Sequence, residues 1–487
     1  MAYILSIDQS TQGTKAILTD ETGKICGRAD RSHQQMVNEL GWVSHNLEEI
    51  YHNTLLAAAD VVAKTGIDRG EIIAVGISNQ QETTALWNRE GVPLNHAVVW
   101  QCSREREIVR GLQAHGEEIR IRTGLPLSPY FPAAKMAWLL QNTPGLQELP
   151  KEELRLGTID SWLIYRLTWG CSFKTDYSNA SRTQLFNIRE LRWDEGICRL
   201  FGIPLECLPE VCDSDSNFGL TDLDGFLPRP IPICGVLGDS HAALFGQGCH
   251  SAGMIKATYG TGSSIMMNTG RDCVESRHGL AASLAWGISG EVQYVLEGNI
   301  NYTGAVITWL KEDVGLIASP SETEAAARES NPLDQTVLVP AFSGLSAPYW
   351  SDRAKAVLCN MSRTTGRNEI IRAALDSIAF QINAVLQAMS QDSGLHLNEL
   401  RVDGGPTKNR YLMQLQSDLS LVDVAVPQAE ELSALGAAYL AGIRAGLYRK
   451  EPLFTDAGIT RYHAMMPAAD RQAWLDRWEQ AVKLAAM

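Results

Sequence analysis

Two aspartates, each at the end of an apolar run, are the residues best placed to do chemistry. In "YILSIDQSTQGTKAILTD" an apolar run stops at Asp8, a turn of small and hydroxylated residues closes on Lys15, and a second apolar run follows. Such a hairpin sets a carboxylate beside a nest of backbone N–H groups and a cation, an arrangement suited to phosphate. In "IPICGVLGDSHAALFGQG" an apolar strand ends at Gly238 and Asp239 and a helical pattern begins. By spacing alone Asp239 is a helix N-cap. At a strand tip in a cleft, the same carboxylate takes a proton from a substrate hydroxyl. Nearness to a phosphate hairpin decides between the two.

The opening hairpin has an echo. "MIKATYGTGSSIMMNTG" (254–270) is again strand, turn of Gly, Thr and Ser, and strand, and it opens the second half of the chain. One such hairpin is unremarkable; two, each opening a half, point to duplicated domains facing a shared cleft, with both turns closing on one polyanion. A further turn, "LRVDGGPTKNRYLMQLQSDL" (400–419), ends a strand at Asp403, uses Gly404 and Gly405 to let a flat ligand approach the backbone, and starts a helix near Asn409. "ALGAAYLAGIRAG" (434–446) is a helix with small residues on one face, suited to close packing. Neither a GxxxxGK[ST] loop nor a GxGxxG turn is present.

The elements that must hold these residues alternate. Strand patterns near 3–8, 14–19 and 71–78, and a helical pattern from about Asn46 to Lys64, argue an α/β chain. At 487 residues the chain is long enough for two or three cores. The best break lies at "GQGCHSAGM", which divides the chain into 1–250 and 251–487. A hydrophobic fraction of 45% and a charged fraction of 20% suit a soluble enzyme. The net charge of −14 repels nucleic acid and anionic membranes, so an anionic ligand needs local groups to hold it. No apolar run approaches a membrane span, and the chain starts directly in a strand pattern, so a cytoplasmic location is expected. Ten cysteines without a CxxC signal neither a disulfide framework nor a zinc site. A dispersed histidine such as His241 or His96 reads as a packed or surface side chain.

In its motifs the chain resembles the FGGY carbohydrate kinases, and within them the glycerol kinase branch. The matching stretches run in order along the whole length and include "DQSTQGTKA", "GISNQQETTALWN", "VVWQCSR", "SPYFPAAKMAWLL", "TDYSNASRT", "GDSHAALFGQG", "YGTGSS", "FSGLSAPYW" and "VDGGPTKNRYLMQ". The resemblance implies two duplicated domains of the actin, hexokinase and Hsp70 type, ribonuclease H-like, around a central cleft. It implies an ATP-dependent kinase that phosphorylates a hydroxyl of a small polyol or sugar, with Mg2+. By position, Asp239 falls on the catalytic base, and Asp8, with Asp239 close by, on the acid that helps hold magnesium. Thr11, Gln12 and Lys15 fall in the first phosphate loop, where glycerol kinases usually carry Arg rather than Lys15. Thr261 and Gly262 fall in the second loop, and Gly404, Gly405 and Asn409 on the adenine side. Glu82, Trp100 and Tyr130 fall on substrate-lining positions.

The departures concern the substrate. Where glycerol kinases usually read NQRET this chain has "NQQET", so a guanidinium becomes Gln81. Where they usually carry Gln after the catalytic acid, Ser240 stands, and where they usually carry Phe after the second loop, Ser264 stands. Together these predict a roomier, more polar pocket and a substrate other than glycerol. Two alternatives stay open at this point: a glycerol kinase with a variant pocket, and a non-catalytic actin-like nucleotide switch. Retention of both Asp8 and Asp239 argues against the switch. The oligomeric state, homo-oligomer or monomer, is open.

Overall fold

Every residue of the first strand, β1 (Tyr3–Gln9), is buried, the pattern of a strand covered on both faces. In this computed structural model, which describes residues 1–454 and 458–487, β1 lies inside a six-stranded sheet. It pairs antiparallel with β2 (Gly13–Thr19), which pairs with β3 (Ile25–Ser32), so the turn after Asp8 joins adjacent strands. On its other side it pairs parallel with β4 (Ile72–Asn79), and β4 pairs parallel with β5 (Ile231–Gly238). A two-residue strand, Leu220–Thr221, closes that edge. The helix α1 (Leu47–Thr65) is capped by the Asn46 side chain and stopped by left-handed Gly66, within a residue of the span the sequence predicts.

The second half repeats the plan. Here β6 (Met254–Tyr259) and β7 (Ser263–Gly270) form the antiparallel hairpin. Beyond β7 lie β9 (Glu291–Ile300) and then β8 (Ala281–Ile288). On the other side β6 runs parallel with β10 (Glu399–Asp403), which runs parallel with β11 (Asp423–Val426). Each half is therefore a hairpin with a further antiparallel strand on one flank and parallel strands on the other, as the repeated hairpin predicts. Parallel strands put their carboxyl ends on one side of a sheet, which is where ligands bind in such folds. Asp8 stands near the end of β1, Asp403 ends β10, and α2 (Asp239–Gly246) leaves the end of β5.

The division expected at 250 does not describe one element. The helix α5 (Leu432–Arg444), late in the chain, packs on β1, β4, β5 and α2 of the first half. Its small residues allow it: Ala438 and Ala441 pack with Ile4, Ala74 and Cys234, and Ser6 Oγ donates to the Ala434 carbonyl at 2.7 Å. The approach is close enough that a Cβ added at Gly436 would lie 1.9 Å from the Ala242 carbonyl oxygen. Sequence order separates what packing joins. Among the described residues no helix is long and apolar enough to cross a membrane.

Because the Gly436 contact is with backbone, no side chain can swing aside to relieve it. Gly436→Val is expected to cost about 1–3 kcal/mol or more of stability by overpacking. A thermal melt checks it, and an unchanged midpoint would show that α5 is not seated on α2 as described.

Candidate active site

Burial, hydrogen bonds and charge converge where the two sheets face each other. Asp239 is the first residue of α2, and the capping position belongs to Gly238, which has no side chain to cap with. The Asp239 carboxylate accepts the Ser240 N–H at 2.6 Å, a contact with its own neighbour rather than a cap of the second or third amide. Burial, with the Asp8 charge nearby, pushes its acid up to about 6. Asp8 is also buried and pushed up by burial, opposed by Lys15 and by a 2.8 Å bond from Ser78 Oγ. A carboxylate raised by the charge of another calls for a cation between or beside them. Among the described residues no three His, Cys, Asp or Glu side chains gather to hold a metal unaided. Asp8 and Asp239 do fit magnesium, which is commonly held by one or two carboxylates completed by substrate phosphates and water.

Two cavities meet beside this pair. One, of about 540 Å³, is lined by Asp8, Lys15, Thr258, Asp403, Gly404 and Lys408. The other, of about 650 Å³, is lined by Tyr259, Thr261, Ile307, Leu375, Gly405 and Asn409. Gly405 and Lys408 border both. Gly404 holds a positive φ of 99° and a Cβ there would lie 2.1 Å from the Tyr259 carbonyl oxygen, so only glycine permits the turn. The second loop is anchored from behind: the Thr261 carbonyl accepts the Thr303 and Ala305 N–H groups at 3.0 and 2.9 Å. Thr11, Gln12 and Gly262 line neither cavity. In the first loop, Thr11 Oγ1 accepts the Trp100 indole N–H at 2.9 Å, linking that loop to the aromatic wall.

Two expectations need amendment. Lys15 faces Asp8 across the hairpin, but its ammonium pairs with Glu431 at 2.9 Å, so it is not a free cation in the loop. Asn409 borders the larger cavity while its side chain is occupied elsewhere. It caps α4 (Arg410–Ser420) by accepting the Leu412 N–H at 3.0 Å and donates to Thr323 Oγ1 at 3.1 Å.

On the acceptor side the central feature is one the sequence reading missed. Arg182, 2% exposed, donates from Nε to Glu82 at 2.7 Å and from Nη1 to Glu297, carboxylates carried by the two halves of the chain. Burial outweighs Arg182 at Glu82, pushing that acid up to about 7, with Glu297 and Asp239 adding to the rise. Tyr130 feels the same charges, Glu82, Arg182, Glu297 and Asp239, which shows that it shares their pocket. Its ring stands edge-on to Trp100 at 5.6 Å and to Phe131 at 5.1 Å, and the Arg182 guanidinium lies 5.1 Å from the centre of the Phe131 ring. Arg182 lay in plain view in "TDYSNASRT"; nothing in its spacing tied it to Glu297.

Gln81 also differs from expectation. Its amide is buried and turned onto His241 Nδ1 at 2.9 Å and the Ser178 carbonyl at 3.4 Å, so it braces β5 and α2 rather than enlarging the pocket. Burial keeps His241 neutral, as a packed histidine should be. Ser240 and Ser264 are both half-buried and short.

Comparison with known proteins agrees with this arrangement. Residues 3–246 match the N-terminal domain, and residues 255–445 the C-terminal domain, of the FGGY family of carbohydrate kinases. The chain is 45% identical over 486 residues to a protein named glycerol kinase from Desulforamulus reducens, covering 99% of this chain and 97% of that one. It is 45% identical over 491 residues to glycerol kinase 1 of Thermotoga maritima, covering 99% of each. Among solved structures, a Plasmodium falciparum glycerol kinase with ADP superimposes with a TM-score of 0.93 at 35% identity, over 100% of this chain and 99% of that one. A xylulose kinase from Lactobacillus acidophilus, at 19% identity and a TM-score of 0.89 over 99% of this chain and 98% of that one, shares the fold.

Removing the Arg182 cation leaves Glu82 and Glu297 buried and facing each other. Arg182→Met is expected to cost about 3–5 kcal/mol at pH 8, the scale for breaking a buried ion pair from one side. Because the folded Glu82 acid already sits above its ordinary value, the cost is present above about pH 7 and shrinks as the pH falls and the carboxyl takes a proton. Denaturation at pH 8 and pH 5.5 tests this, and an equal loss at both would contradict the assigned charge state.

Proposed function

The chain belongs to the FGGY family of carbohydrate kinases, ATP-dependent phosphotransferases, and from that premise we propose that it phosphorylates a hydroxyl of a small polyol or sugar longer than glycerol. The observation that carries the reaction is the Asp239 carboxylate: half-buried, free of a capping role, and raised by desolvation and by the charge of Asp8, which lines the smaller cavity. In this reading ATP lies with its base and ribose in the 650 Å³ cavity and its phosphates in the 540 Å³ cavity beside Asp8. The ADP named for the Plasmodium falciparum kinase supports a nucleotide as the ligand.

Phosphoryl transfer needs position and charge more than covalent chemistry from the protein. Asp239 accepts the proton of the attacking hydroxyl and aligns its oxygen with the terminal phosphorus. Glu82 and Arg182 offer an acceptor and donors to neighbouring hydroxyls, while Trp100 and Tyr130 form an apolar wall against the carbon chain. Asp8 and Asp239 would hold Mg2+, which supplies positive charge to the phosphate oxygens when bound. The anchored loop at 259–262 and the turn at Gly404 keep the backbone open to the nucleotide. The two halves of the chain, 1–250 and 251–487, divide this labour, the first supplying most acceptor contacts and the second most nucleotide contacts.

The preference for a longer acceptor is supported by Ser264 and Ser240, short hydroxylated side chains at the pocket. A site built with polar groups favours a ligand able to pair them. The second reading is glycerol itself, favoured by relatives of 45% identity that are named glycerol kinase. A coupled ADP assay with glycerol and four- to six-carbon polyols and ketoses separates the two. The proposal expects a higher kcat/KM for a longer acceptor, and a preference for glycerol over all of them would install the second reading.

Asp239→Asn is expected to lower turnover at least about a hundredfold, the usual scale of acid–base catalysis. Since burial penalises the charged acid, the neutral amide should melt no lower than the parent at pH 8, which separates lost chemistry from lost folding. In the parent, kcat/KM should fall as the pH drops below about 6, where Asp239 becomes protonated. Near-normal turnover in Asp239→Asn would remove it from the reaction.

A further inference from the structure

We propose that Asn299 and Ser264, backed by the buried Lys256, form a distal subsite that reads hydroxyl or carbonyl oxygens of a neutral polyol or ketose beyond its third carbon. This rests on the kinase reading above and assigns its substrate class. Strand register brings the three together. Ser264 on β7 stands directly opposite Asn299 on β9, and Thr258 on β6 stands opposite Ser264, so all three side chains lie on one face of the sheet. One step back along the same face come Lys256 on β6, Met266 on β7 and Glu297 on β9. The opposite face of β6 and β7, with Ile255, Ala257 and Ile265, is core. The polar face is thus the one turned toward Asp239 and Arg182.

Its hydrogen bonds are incomplete in one direction. Asn299 Nδ2 donates to Glu297 Oε1 at 3.0 Å, and Ser264 Oγ donates to the same oxygen at 3.4 Å. The other Glu297 oxygen takes the Arg182 guanidinium. Lys256 is wholly buried, yet among the described residues its only hydrogen bond is a long one to Ser264 Oγ at 3.4 Å, and no carboxylate oxygen lies within 4 Å of its ammonium. An ammonium has three donors, and buried donors are ordinarily satisfied. Asn299 likewise has no protein partner for its Oδ1 among the described residues. Ser264 and Asn299 are half-buried, so a ligand can reach them, while the wholly buried Lys256 ammonium lies behind Ser264.

The groups open to a ligand are one amide N–H and the amide oxygen of Asn299 and the Ser264 hydroxyl, which suits hydroxyl or carbonyl oxygens. Charge excludes a sugar acid: its carboxylate would enter beside Glu297, Glu82 and Asp239, with Arg182 already occupied by two of them. Length follows from the partners. A three-carbon triol commits one hydroxyl to Asp239 and its others to Glu82 and Arg182. In this proposal Asn299 and Ser264, on the facing sheet, are left for oxygens further along the chain. Burial lowers the pKa of the Lys256 ammonium, opposed by the charges of Asp403, Glu297 and Asp239, none of which touches it.

The experiment compares kcat/KM for glycerol with that for erythritol, xylitol, sorbitol, fructose and gluconate, in the full-length protein and in Asn299→Ala, Ser264→Ala and Lys256→Met. The best longer neutral acceptor should outperform glycerol, with gluconate inactive. In Asn299→Ala and Ser264→Ala the ratio of longer acceptor to glycerol should fall about tenfold each, mainly through KM. Lys256→Met should lower the ratio further. Asn299 and Ser264 are accessible side chains, so their variants keep the test decisive if Lys256→Met fails to fold. A ratio unmoved in both alanine variants overturns the subsite, as does activity on gluconate. Phosphorylation of glycerol alone overturns it while leaving the kinase reading intact, and the absence of ATP turnover with every acceptor overturns both.

Discussion

One buried guanidinium holds the acceptor side of this protein together. Arg182 is enclosed between Glu82, in the turn that follows a strand of the first sheet, and Glu297, on a strand of the second. Ions so deep are tolerated only when paired and hydrogen-bonded, so the position of each carboxylate is fixed by the same cation. Because the two acids come from opposite halves, the cation also sets the spacing across the cleft. Tyr130 and His241 sit within its electrostatic reach, and Phe131 lies against it. An apolar replacement could fill the volume, but it could not present hydroxyl-binding donors and acceptors in fixed directions.

The duplicated sheets put that constraint to use. The same hairpin occurs in each half, and its face toward the cleft carries different cargo. The first presents Asp8 and Lys15, and the second Lys256, Thr258 and Ser264. Strand pairing makes each set rigid, since a shift of register would send every one of these side chains to the core. The helix Leu432–Arg444 then binds the late part of the chain to the first sheet through backbone contacts that only small residues allow. Its first turn brings Glu431 to Lys15. The cation of the first loop is in this way tied to the far end of the chain.

The site's charge balance explains its chemistry. Asp8, Glu82, Asp239 and Glu297 outnumber Arg182 and Lys256 around the cleft, and burial raises three of those four acids. Such a surplus of negative charge favours a metal cation and a neutral acceptor, and it keeps Asp239 basic enough to take a proton near neutrality. It also means that substituting any one charge alters the protonation of the rest, so the cluster responds as a unit.

Much of this was legible in the sequence because it is local. The apolar runs of β1 and β6, the Gly and Ser turns between them and their partners, the Asn46 cap and the small-residue helix at 432–444 are each set by neighbouring residues, and each appears within a residue or two of its expected place. The order of motifs pointed to the family for the same reason. What the tertiary structure decided are contacts between residues far apart along the chain: Arg182 with Glu297, Lys15 with Glu431, and Gln81 turned onto His241 instead of into the pocket. Local sequence sets the backbone's path, since propensity and turn chemistry act over a few residues. Which buried charge meets which is set only when sheets pack, because the desolvation cost of each charge must be met by whatever group the fold brings within reach.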